Sequence, residues 1–279
     1  MHRTFSAAFS EDLGPAKKGK TEDISPFDYL PDEVIAYIVS FSFLDPSSFA
    51  LTCRRHERLV VRVRLDDVFI VSASRGRLGL VKRYLRLGAR KINTALRRAS
   101  GNGHLEVVSF LITNLARDLD IAFVDAAQSG HVEVLRFLRD HGAAALGVGL
   151  IVAAKAGNLE TVRVLVKWDA SCVNHALKTA AEGDHLEVMV YLKENGANNF
   201  NESLFSASKR GSVRAMKLLY SWGATDVDGA LSYAAMYNQL EALELLLAWG
   251  STNIVQARHT AKVKGHEEAV DFLSPYESH

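Results

Sequence analysis

One phrase of the sequence returns along most of the chain, most clearly as Ala126-Ala127-Gln128-Ser129-Gly130-His131-Val132-Glu133-Val134-Leu135-Arg136-Phe137-Leu138. Its glycine belongs to a series of residues, here called the markers, that stand 27 positions apart: Gly76, Gly103, Gly130, Gly157, Asp184, Gly211, Asn238 and Gly265. A constant interval of about 20 to 50 residues indicates stacked structural repeats. The sequence therefore predicts a solenoid of eight units.

Each unit is predicted to contain two helices. The first helix is expected to begin ten residues before the marker, where six of the eight units carry Asp or Asn. The side chains of these residues accept hydrogen bonds from the N–H groups at a helix start. The units are therefore expected to start near residues 66, 93, 120, 147, 174, 201, 228 and 255. Alanine recurs four residues before the marker, where a small side chain would let neighbouring helices approach closely.

The markers predict where the first helix ends, because Gly, Asp and Asn tolerate the left-handed conformation that ends a helix. A second helix is expected to follow, with apolar residues at helical spacing such as Val107, Val108 and Leu111. Five units then carry a glycine suited to end the second helix: Gly88, Gly142, Gly196, Gly223 and Gly250.

The phrase Ala-Ala-x-x-Gly-His-Leu/Val-Glu-Val and the later Gly-Ala pair, as in Gly142-Ala143, resemble the ankyrin repeat over residues 66–279. This resemblance implies an all-α solenoid of paired helices. The family's usual period is about 33 residues, so each unit here is about six residues shorter. We therefore expect minimal or no hairpins between the units, each hairpin being reduced to a tight loop.

Composition narrows the possible functions. The apolar fraction is 48% and the formal net charge is +1, which gives no reason to expect nucleic acid or a membrane as partner. No apolar run reaches the length of a membrane span, and the N-terminus lacks a signal-peptide pattern. The two cysteines, Cys53 and Cys172, are too few for a disulfide framework or a metal set. We expect a monomer of the cytoplasm, or of the nucleus, without a cofactor.

The first 65 residues differ from the repeats. Residues 1–27 mix Ser, Lys, Gly and acidic residues without apolar periodicity, and they are interpreted as a flexible tail. Three short helices are predicted within residues 28–65. The first begins at Leu30-Pro31-Asp32-Glu33, with proline at its first position and acids in its first turn. Leu44-Asp45-Pro46 starts the second helix, and Cys53-Arg54-Arg55-His56 leads into the third.

Residues 28–65 resemble an F-box. The resemblance is carried by Leu30-Pro31-x-Glu33, the helix around Ile38, Leu44-Asp45-Pro46 and Leu51-x-Cys53-Arg54-Arg55, whereas His56 stands where the family usually has Trp. It implies docking on the Skp adaptor of a Skp–cullin–F-box ubiquitin ligase. The residues expected to contact the adaptor are Leu30, Pro31, Glu33, Val34, Ile35, Ile38, Leu44, Pro46, Leu51 and Cys53.

A second interpretation of residues 28–65 stays open. Three amphipathic helices in front of a solenoid could form a cap, because a terminal repeat needs a polar outer face. The two interpretations differ in exposure. A cap would bury Leu30, Val34, Ile38 and Phe41 under the first unit, whereas an F-box would leave part of this apolar surface for a partner helix.

The last unit, from Val255, departs from the pattern of the others. Arg258 and Lys262 replace apolar residues, and Glu267 replaces the apolar residue that follows the histidine elsewhere. A charged final repeat is typical of a C-terminal cap. Beyond it, Ser274–His279 are expected to fray.

Four histidines directly follow a marker: His104, His131, His185 and His266. They cannot share a metal ion, because equivalent positions in adjacent units lie about 8–10 Å apart, whereas ligands lie about 2 Å from their ion. They are interpreted as repeat architecture. The sequence contains no phosphate-binding loop and no recognisable nucleophile arrangement, so we predict that the chain is not an enzyme.

The two residues before each marker are candidates for binding a target protein. In ankyrin-like repeats these positions face the binding groove, and here they differ widely between units while their neighbours do not. The candidates are Arg75, Asn102, Gln128, Lys155, Glu182, Lys209, Arg210, Met236, Tyr237 and Lys264. The later members combine basic groups with Met and Tyr, which suits a protein surface with acidic and apolar features. The alternative for any one of them is a solvated face.

Three tryptophans, Trp168, Trp222 and Trp249, stand eleven residues after their markers. We interpret them as packing residues that cover the shortened loops. The alternative is an aromatic patch for a partner.

Together these features predict the substrate-recognition subunit of a Skp–cullin–F-box ubiquitin ligase. The box would dock on the adaptor and through it on a cullin, and the repeats would hold a target protein, which raises the effective concentration of its lysines near the ligase. The pairing resembles proteins of large DNA viruses that infect amoebae, which would place the chain in host cytoplasm. The alternatives are an ankyrin-type scaffold without a ubiquitin role, residues 28–65 acting as its cap, and an enzyme whose site is not visible.

Overall fold

The computed structural model describes residues 65–114, 116–168 and 171–278. Within these ranges the chain forms sixteen α-helices and no strand, which confirms the predicted all-α solenoid. The tail and the residues that carry the F-box resemblance lie outside the described residues. The helices are α1 (Leu65–Ser74), α2 (Leu78–Arg86), α3 (Ile92–Gly101), α4 (Leu105–Thr113), α5 (Leu119–Ser129), α6 (Val132–Asp140), α7 (Leu146–Ala156), α8 (Leu159–Lys167), α9 (Val173–Glu182), α10 (Leu186–Glu194), α11 (Phe200–Arg210), α12 (Val213–Ser221), α13 (Val227–Met236), α14 (Leu240–Ala248), α15 (Ile254–Lys264) and α16 (Glu267–Leu273).

Each odd-numbered helix and the even-numbered helix after it form one unit. Two or three residues link the helices within a unit, and five residues link each unit to the next. The predicted reduction of the hairpins is therefore confirmed, since these short links contain no strand where the structure describes them. No described helix has the length and apolar character needed to cross a bilayer.

The markers adopt the conformation that the sequence predicts. All eight have positive φ, between 55° and 85°, and Asp184 and Asn238 are the two non-glycine residues with positive φ in the described part of the chain. The five glycines expected to end the second helices also have positive φ. The 27-residue interval therefore corresponds to one helix pair.

The core lies between the two helix layers and continues from unit to unit. The large apolar residues seven positions before the markers, such as Phe123 and Leu150, are fully buried. The alanines four positions before the markers, such as Ala126 and Ala153, are buried as well. These small residues let the first helices of successive units pack closely, whereas the second helices contact one another less extensively.

The start of the first helices differs from the prediction by one residue. Helix α1 begins at Leu65, and the later first helices are shifted in the same way. The Asp and Asn residues ten positions before the markers therefore lie inside the first turn and do not act as N-caps. Among the described N-caps, Asp226 is the one whose side chain accepts from a backbone N–H of its own helix, that of Gly229 at 2.8 Å.

These Asp and Asn residues instead bind the loop that leads into the next unit. The Asp66 Oδ1 atom accepts from the Arg90 N–H at 2.7 Å, and the Asn201 Oδ1 atom accepts from the Thr225 N–H at 2.8 Å. The loop N–H groups have no helical partner and need an acceptor. We call this contact the inter-unit brace, and six residues form it: Asp66, Asn93, Asp120, Asn174, Asn201 and Asp228.

The C-terminal unit ends in an ordered cap. Ser274–Ser278 form a 3-10 helix, so the expectation that the segment from Ser274 frays is wrong for these residues. The Arg258 Nη1 atom lies 2.6 Å from the Glu277 Oε2 atom, and this ion pair attaches the 3-10 helix to α15. Because Arg258 replaces an apolar core residue, Glu277 supplies the partner that a half-buried charge requires.

Candidate protein-binding surface

The outward residues of the odd-numbered helices form one continuous side of the solenoid, here called the first-helix face. The ten residues predicted to bind a target all lie on it, at the C-terminal ends of these helices or directly after them. Six are exposed and four are partly exposed. The exposed six are Asn102, Gln128, Lys155, Arg210, Tyr237 and Lys264, and the others are Arg75, Glu182, Lys209 and Met236.

The sixth and seventh units carry an aromatic cluster on this face, formed by Phe205, Tyr233 and Tyr237. The rings of Phe205 and Tyr233 stack at 5.3 Å between centroids with an interplanar angle of 18°. The Lys209 Nζ atom lies 5.1 Å from the centroid of the Tyr237 ring. Gly229 leaves the space that Phe205 occupies, because a Cβ atom there would lie 2.8 Å from the Phe205 Cε1 atom. The cluster is thus preformed.

Sequence reasoning missed part of the first-helix face. Ile121 and Val148, nine positions before their markers, are exposed, and so is Tyr233, five positions before its marker. The positions nine, five and two residues before the marker are four and three residues apart, which places them on one face of a helix. The same periodicity that located the core could have located them.

In the first three units, polar side chains of the first-helix face contact one another or the backbone of a neighbouring unit. The Asn102 Nδ2 atom donates to the Ser74 carbonyl at 2.9 Å, and the Arg97 Nε atom lies 2.9 Å from the Asp125 Oδ2 atom. The polar groups of these units are therefore already satisfied in part. The aromatic cluster and the bases around it offer the larger contact potential.

Three of the four histidines that follow the markers contact the preceding unit through a hydrogen bond, which agrees with their interpretation as repeat architecture. The Nε2 atoms of His104, His185 and His266 lie 2.8, 3.0 and 3.0 Å from carbonyl oxygens of the preceding unit, those of Ser74, Lys155 and Met236. In the described part of the chain, no group of three or more His, Cys, Asp or Glu side chains is arranged to hold a metal ion. The histidine pattern is thus a structural feature of the stack.

The three tryptophans pack between units, each directly after the second helix of its unit. Each contacts the residue that stands nine positions after the marker of the preceding unit. The Trp168 centroid lies 4.5 Å from the Arg139 Cζ atom, and the Trp222 centroid lies 4.7 Å from the Lys193 Nζ atom. Trp249 stacks on Tyr220 at 4.2 Å with an interplanar angle of 9°. The packing interpretation therefore describes all three residues.

Comparisons with known proteins agree with this geometry. The family model for ankyrin repeats in three copies matches residues 69–146. Among solved structures, the ankyrin repeat domain of human ASB11 matches with a TM-score of 0.50 and 23% identity, over 64% of this chain and 96% of that one. At this identity the likeness concerns the fold. No curated protein matches the chain.

Ankyrin repeats are thus found over residues 69–146, and the described helices stack into an all-helical, ankyrin-like solenoid. This architecture generally serves as a scaffold that binds other proteins along its extended surface, and it is typically not catalytic. The first-helix face is the part of the described structure that best suits this role.

Proposed function

We propose that this chain is the substrate-recognition subunit of a Skp–cullin–F-box ubiquitin ligase. One observation carries the proposal: in the sequence, the F-box-like motif of residues 28–65 is followed directly by the first repeat, with no Gly, Pro or Ser between Val63 and Asp66 to form a linker. A docking motif joined directly to a binding scaffold holds a bound target at a restricted distance from the ligase. Such tethering raises the effective concentration of the target's lysines without any chemistry by the chain itself.

The target would lie along the first-helix face. Ile121 and Val148 offer exposed apolar groups in the third and fourth units, and the aromatic cluster with Lys209 follows in the sixth and seventh. A matching segment would carry apolar side chains at one end and acidic and apolar side chains at the other. Three unit spacings correspond to about 24–30 Å, which is the length of roughly 16–20 helical residues.

The adaptor contact is tested with the full chain and purified Skp adaptor. We expect the native chain to bind and the double variant Leu30→Ala/Pro31→Ala to lose binding, with circular dichroism confirming that both are folded. Lys217→Ala is the matched control, because Lys217 is exposed on α12, far along the sequence from the box. A folded native chain that does not bind the adaptor contradicts the proposal.

The target contact is tested by placing a photo-crosslinking amino acid at Tyr237 in cells with inhibited proteasomes. We expect crosslinked protein that also carries ubiquitin, whereas the same crosslinker at Lys217 should capture none of it. Equal capture at both positions would count against the first-helix face as the target site.

The second candidate is an ankyrin-type scaffold without a ubiquitin role, residues 28–65 acting as a cap. The observation that favours it is His56, which stands where F-boxes usually have Trp. Under this hypothesis, crosslinking from Tyr237 would still capture a partner, but the adaptor would not bind. The two experiments above therefore separate the candidates.

A further inference from the structure

A cleft of about 270 Å³ lies on the side of the solenoid opposite the first-helix face, between helices α6 and α8. We call it the Trp168 cleft, and it is lined by Arg136, Glu160, Arg163, Val164, Lys167 and Trp168. Its lining comes from second helices and the residue that follows α8, so it shares no residue with the proposed target surface.

The basic side chains of the cleft form no ion pair with an acidic residue in the described part of the chain. The ion pairs in the described part of the chain join Arg97 to Asp125, Arg214 to Asp184 and Arg258 to Glu277, and none involves a residue of the cleft. Glu160 lines the same cleft without coming within ion-pair distance of its bases. Among the described residues, the bases of the cleft are therefore not held in ion pairs.

Trp168 organises the arginines at one end of the cleft. The Cζ atoms of Arg136 and Arg139 lie 5.8 and 4.5 Å from the centroid of its ring. An arginine stacked on an aromatic ring keeps its in-plane N–H donors available for bidentate contacts and loses little entropy when they bind. Arg163 is placed similarly, with its Cζ atom 5.4 Å from the centroid of Tyr191.

The charge of the lining indicates the ligand. Arg136, Arg163 and Lys167 contribute three positive charges and Glu160 one negative charge, which leaves a net charge of +2. A phosphate monoester carries about −1.5 to −2 at neutral pH and presents three acceptor oxygens at one point. A single carboxylate would leave half of this charge without a counterion. Bidentate arginine contacts also match the geometry of phosphate.

The other two tryptophan junctions lack this arrangement. Trp222 is paired with Lys193, and Trp249 is covered by the ring of Tyr220. The position of Arg136 and Arg163, six residues after the marker, is occupied by Val190 in the fifth unit, Lys217 in the sixth and Glu244 in the seventh, so neither of the other junctions has arginines in both units. The concentration of bases at Trp168 is therefore a property of the third and fourth units and not of the repeat.

We propose that the Trp168 cleft binds the phosphate monoester of a phosphorylated protein segment, as a second binding site separate from the first-helix face. Arg136 and Arg163 hold the phosphate oxygens, Lys167 adds a further positive charge, and Glu160 repels the anion and so limits the affinity. This site goes beyond the proposed function and does not depend on it.

The test uses ¹⁵N-labelled full chain, whose three tryptophans give three indole N–H signals in an NMR spectrum. The variant Trp168→Phe assigns the signal of interest. The probe is a Gly/Ser peptide with one phosphoserine, compared with the same peptide unphosphorylated, with inorganic phosphate and with a short single-stranded RNA. We expect the phosphopeptide to shift the Trp168 signal and the unphosphorylated peptide to leave it unchanged.

The variants decide which residues are responsible. We expect Arg136→Gln and Arg163→Gln each to weaken phosphopeptide binding by about tenfold or more, because each removes a charged hydrogen-bond donor. Glu160→Gln should tighten binding, since it removes the repelling carboxylate. Lys217→Gln is the matched control, because Lys217 stands in the register of Arg163 two units later, and it should leave the affinity unchanged. Thermal melting shows that each variant is folded.

Three results would overturn the proposal. Equal shifts with the phosphorylated and unphosphorylated peptides would show that phosphate is not recognised. Inorganic phosphate binding as tightly as the phosphopeptide would assign the cleft to a small ion, and tighter binding of the RNA through the same arginines would assign it to nucleic acid. Unchanged affinity in both arginine variants would place the peptide elsewhere.

Discussion

Gly157 and Asp184 occupy the same position in consecutive units, and both have a left-handed φ, 77° and 57°. Their surroundings differ. A Cβ atom on Gly157 would lie 2.5 Å from the Nδ1 atom of His185, so the next unit leaves no room for a side chain. The Asp184 Oδ1 atom instead accepts from the Ala215 N–H at 2.7 Å, in the first turn of α12. A left-handed marker can therefore also join its unit to the next one.

A substitution at Gly157 tests this close approach. Gly157→Ala should destabilise the chain more than Gly142→Ala, because both add left-handed strain of about 1–2 kcal/mol but only the first displaces His185. No atom lies within 4 Å of a Cβ atom at Gly142. The measurement is the free energy of unfolding in urea. Equal losses would mean that His185 moves aside without cost.

Asp228 forms the most extensive of the inter-unit braces. Its Oδ1 atom accepts from the Ser251 hydroxyl at 2.7 Å and from the N–H groups of Thr252 and Asn253 at 2.7 and 3.0 Å. The hydrogen bond from Ser251, joined by those from Thr252 and Asn253, lowers the pKa of this carboxyl below its usual value. A lowered pKa in the folded state means that the ionised form stabilises the fold, with full effect above the unfolded pKa of about 3.9. This stability is lost as the pH falls through the folded pKa.

The variants Asp228→Asn and Asp228→Ala separate charge from hydrogen bonding. At pH 7 we expect Asp228→Ala to lose about 1.5–3 kcal/mol, the range for hydrogen bonds to charged groups. Asp228→Asn should lose less, because an amide oxygen forms the same brace at Asn201. The difference in the free energy of unfolding between the native chain and Asp228→Asn should disappear as the pH falls below about 4. Urea unfolding between pH 3 and pH 7 measures it, and a gap independent of pH would contradict the role of the charge.

At the level of the helix, the sequence predicted the elements but assigned one residue class the wrong partner. Asp and Asn ten residues before the markers indicate a helix start, because both N-caps and loop braces favour a short side-chain acceptor. Only the stack shows that the Asp66 oxygen reaches the Arg90 N–H, 24 residues ahead, rather than an N–H of its own helix. The repeated Asp and Asn residues indicate that a side-chain acceptor is needed at this position, but not whether the N–H donor belongs to the same unit or to the next one.

The two surfaces were predictable to different degrees. Tyr237 and Lys209 were predicted because the residue type at their positions varies from unit to unit, whereas the neighbouring positions of the repeat stay the same. Phe205 and Tyr233 were missed, because they stack across two units from different positions of the repeat, six and five residues before their markers. The Trp168 cleft was missed for a related reason: Arg136 and Arg163 are neighbours only after units stack, and their importance lies in the absence of acidic partners.

Helix α7 offers a matched pair of substitutions for its register. Leu150 is fully buried between units, whereas Val148, two residues earlier on the same helix, is 53% exposed. Leu150→Asp should cost about 3 kcal/mol or more, because it adds a buried unpaired carboxylate and removes core contacts with neighbouring units. Val148→Asp should change stability by less than about 0.5 kcal/mol. Thermal melting compares them, and similar melting temperatures would mean that the register of α7 is wrong.

At the scale of the whole molecule, each unit contacts mainly its neighbours, so stability depends on the junctions between units. Six of the seven junctions in the described chain carry the inter-unit brace. The junction after the fourth unit lacks it, because Gly147 stands where the others have Asp or Asn. The Sγ atom of Cys172 fills the space instead, 2.8 Å from where a Gly147 Cβ atom would lie.

Restoring the missing brace should strengthen the array. Gly147→Asn alone should not stabilise the chain, because its Cβ atom would collide with the Cys172 sulfur. Combined with Cys172→Ala, which copies the equivalent Ala145, the asparagine has room to accept from the N–H groups of residues 171 and 172. We expect a gain of about 1 kcal/mol, or roughly 2–4 °C in melting temperature.

The control for this prediction is Gly147→Ala with Cys172→Ala. It supplies a Cβ atom at the same place but no acceptor, and alanine favours a helix by up to about 0.7 kcal/mol more than asparagine does. A higher melting temperature for the asparagine variant than for this control isolates the contribution of the brace. An asparagine variant that melts below this control by the full propensity difference would mean that the braces in the other six junctions add little to the coupling between units. An asparagine variant that melts with or above the control would instead identify the periodic Asp and Asn residues as determinants of how strongly one unit stabilises the next.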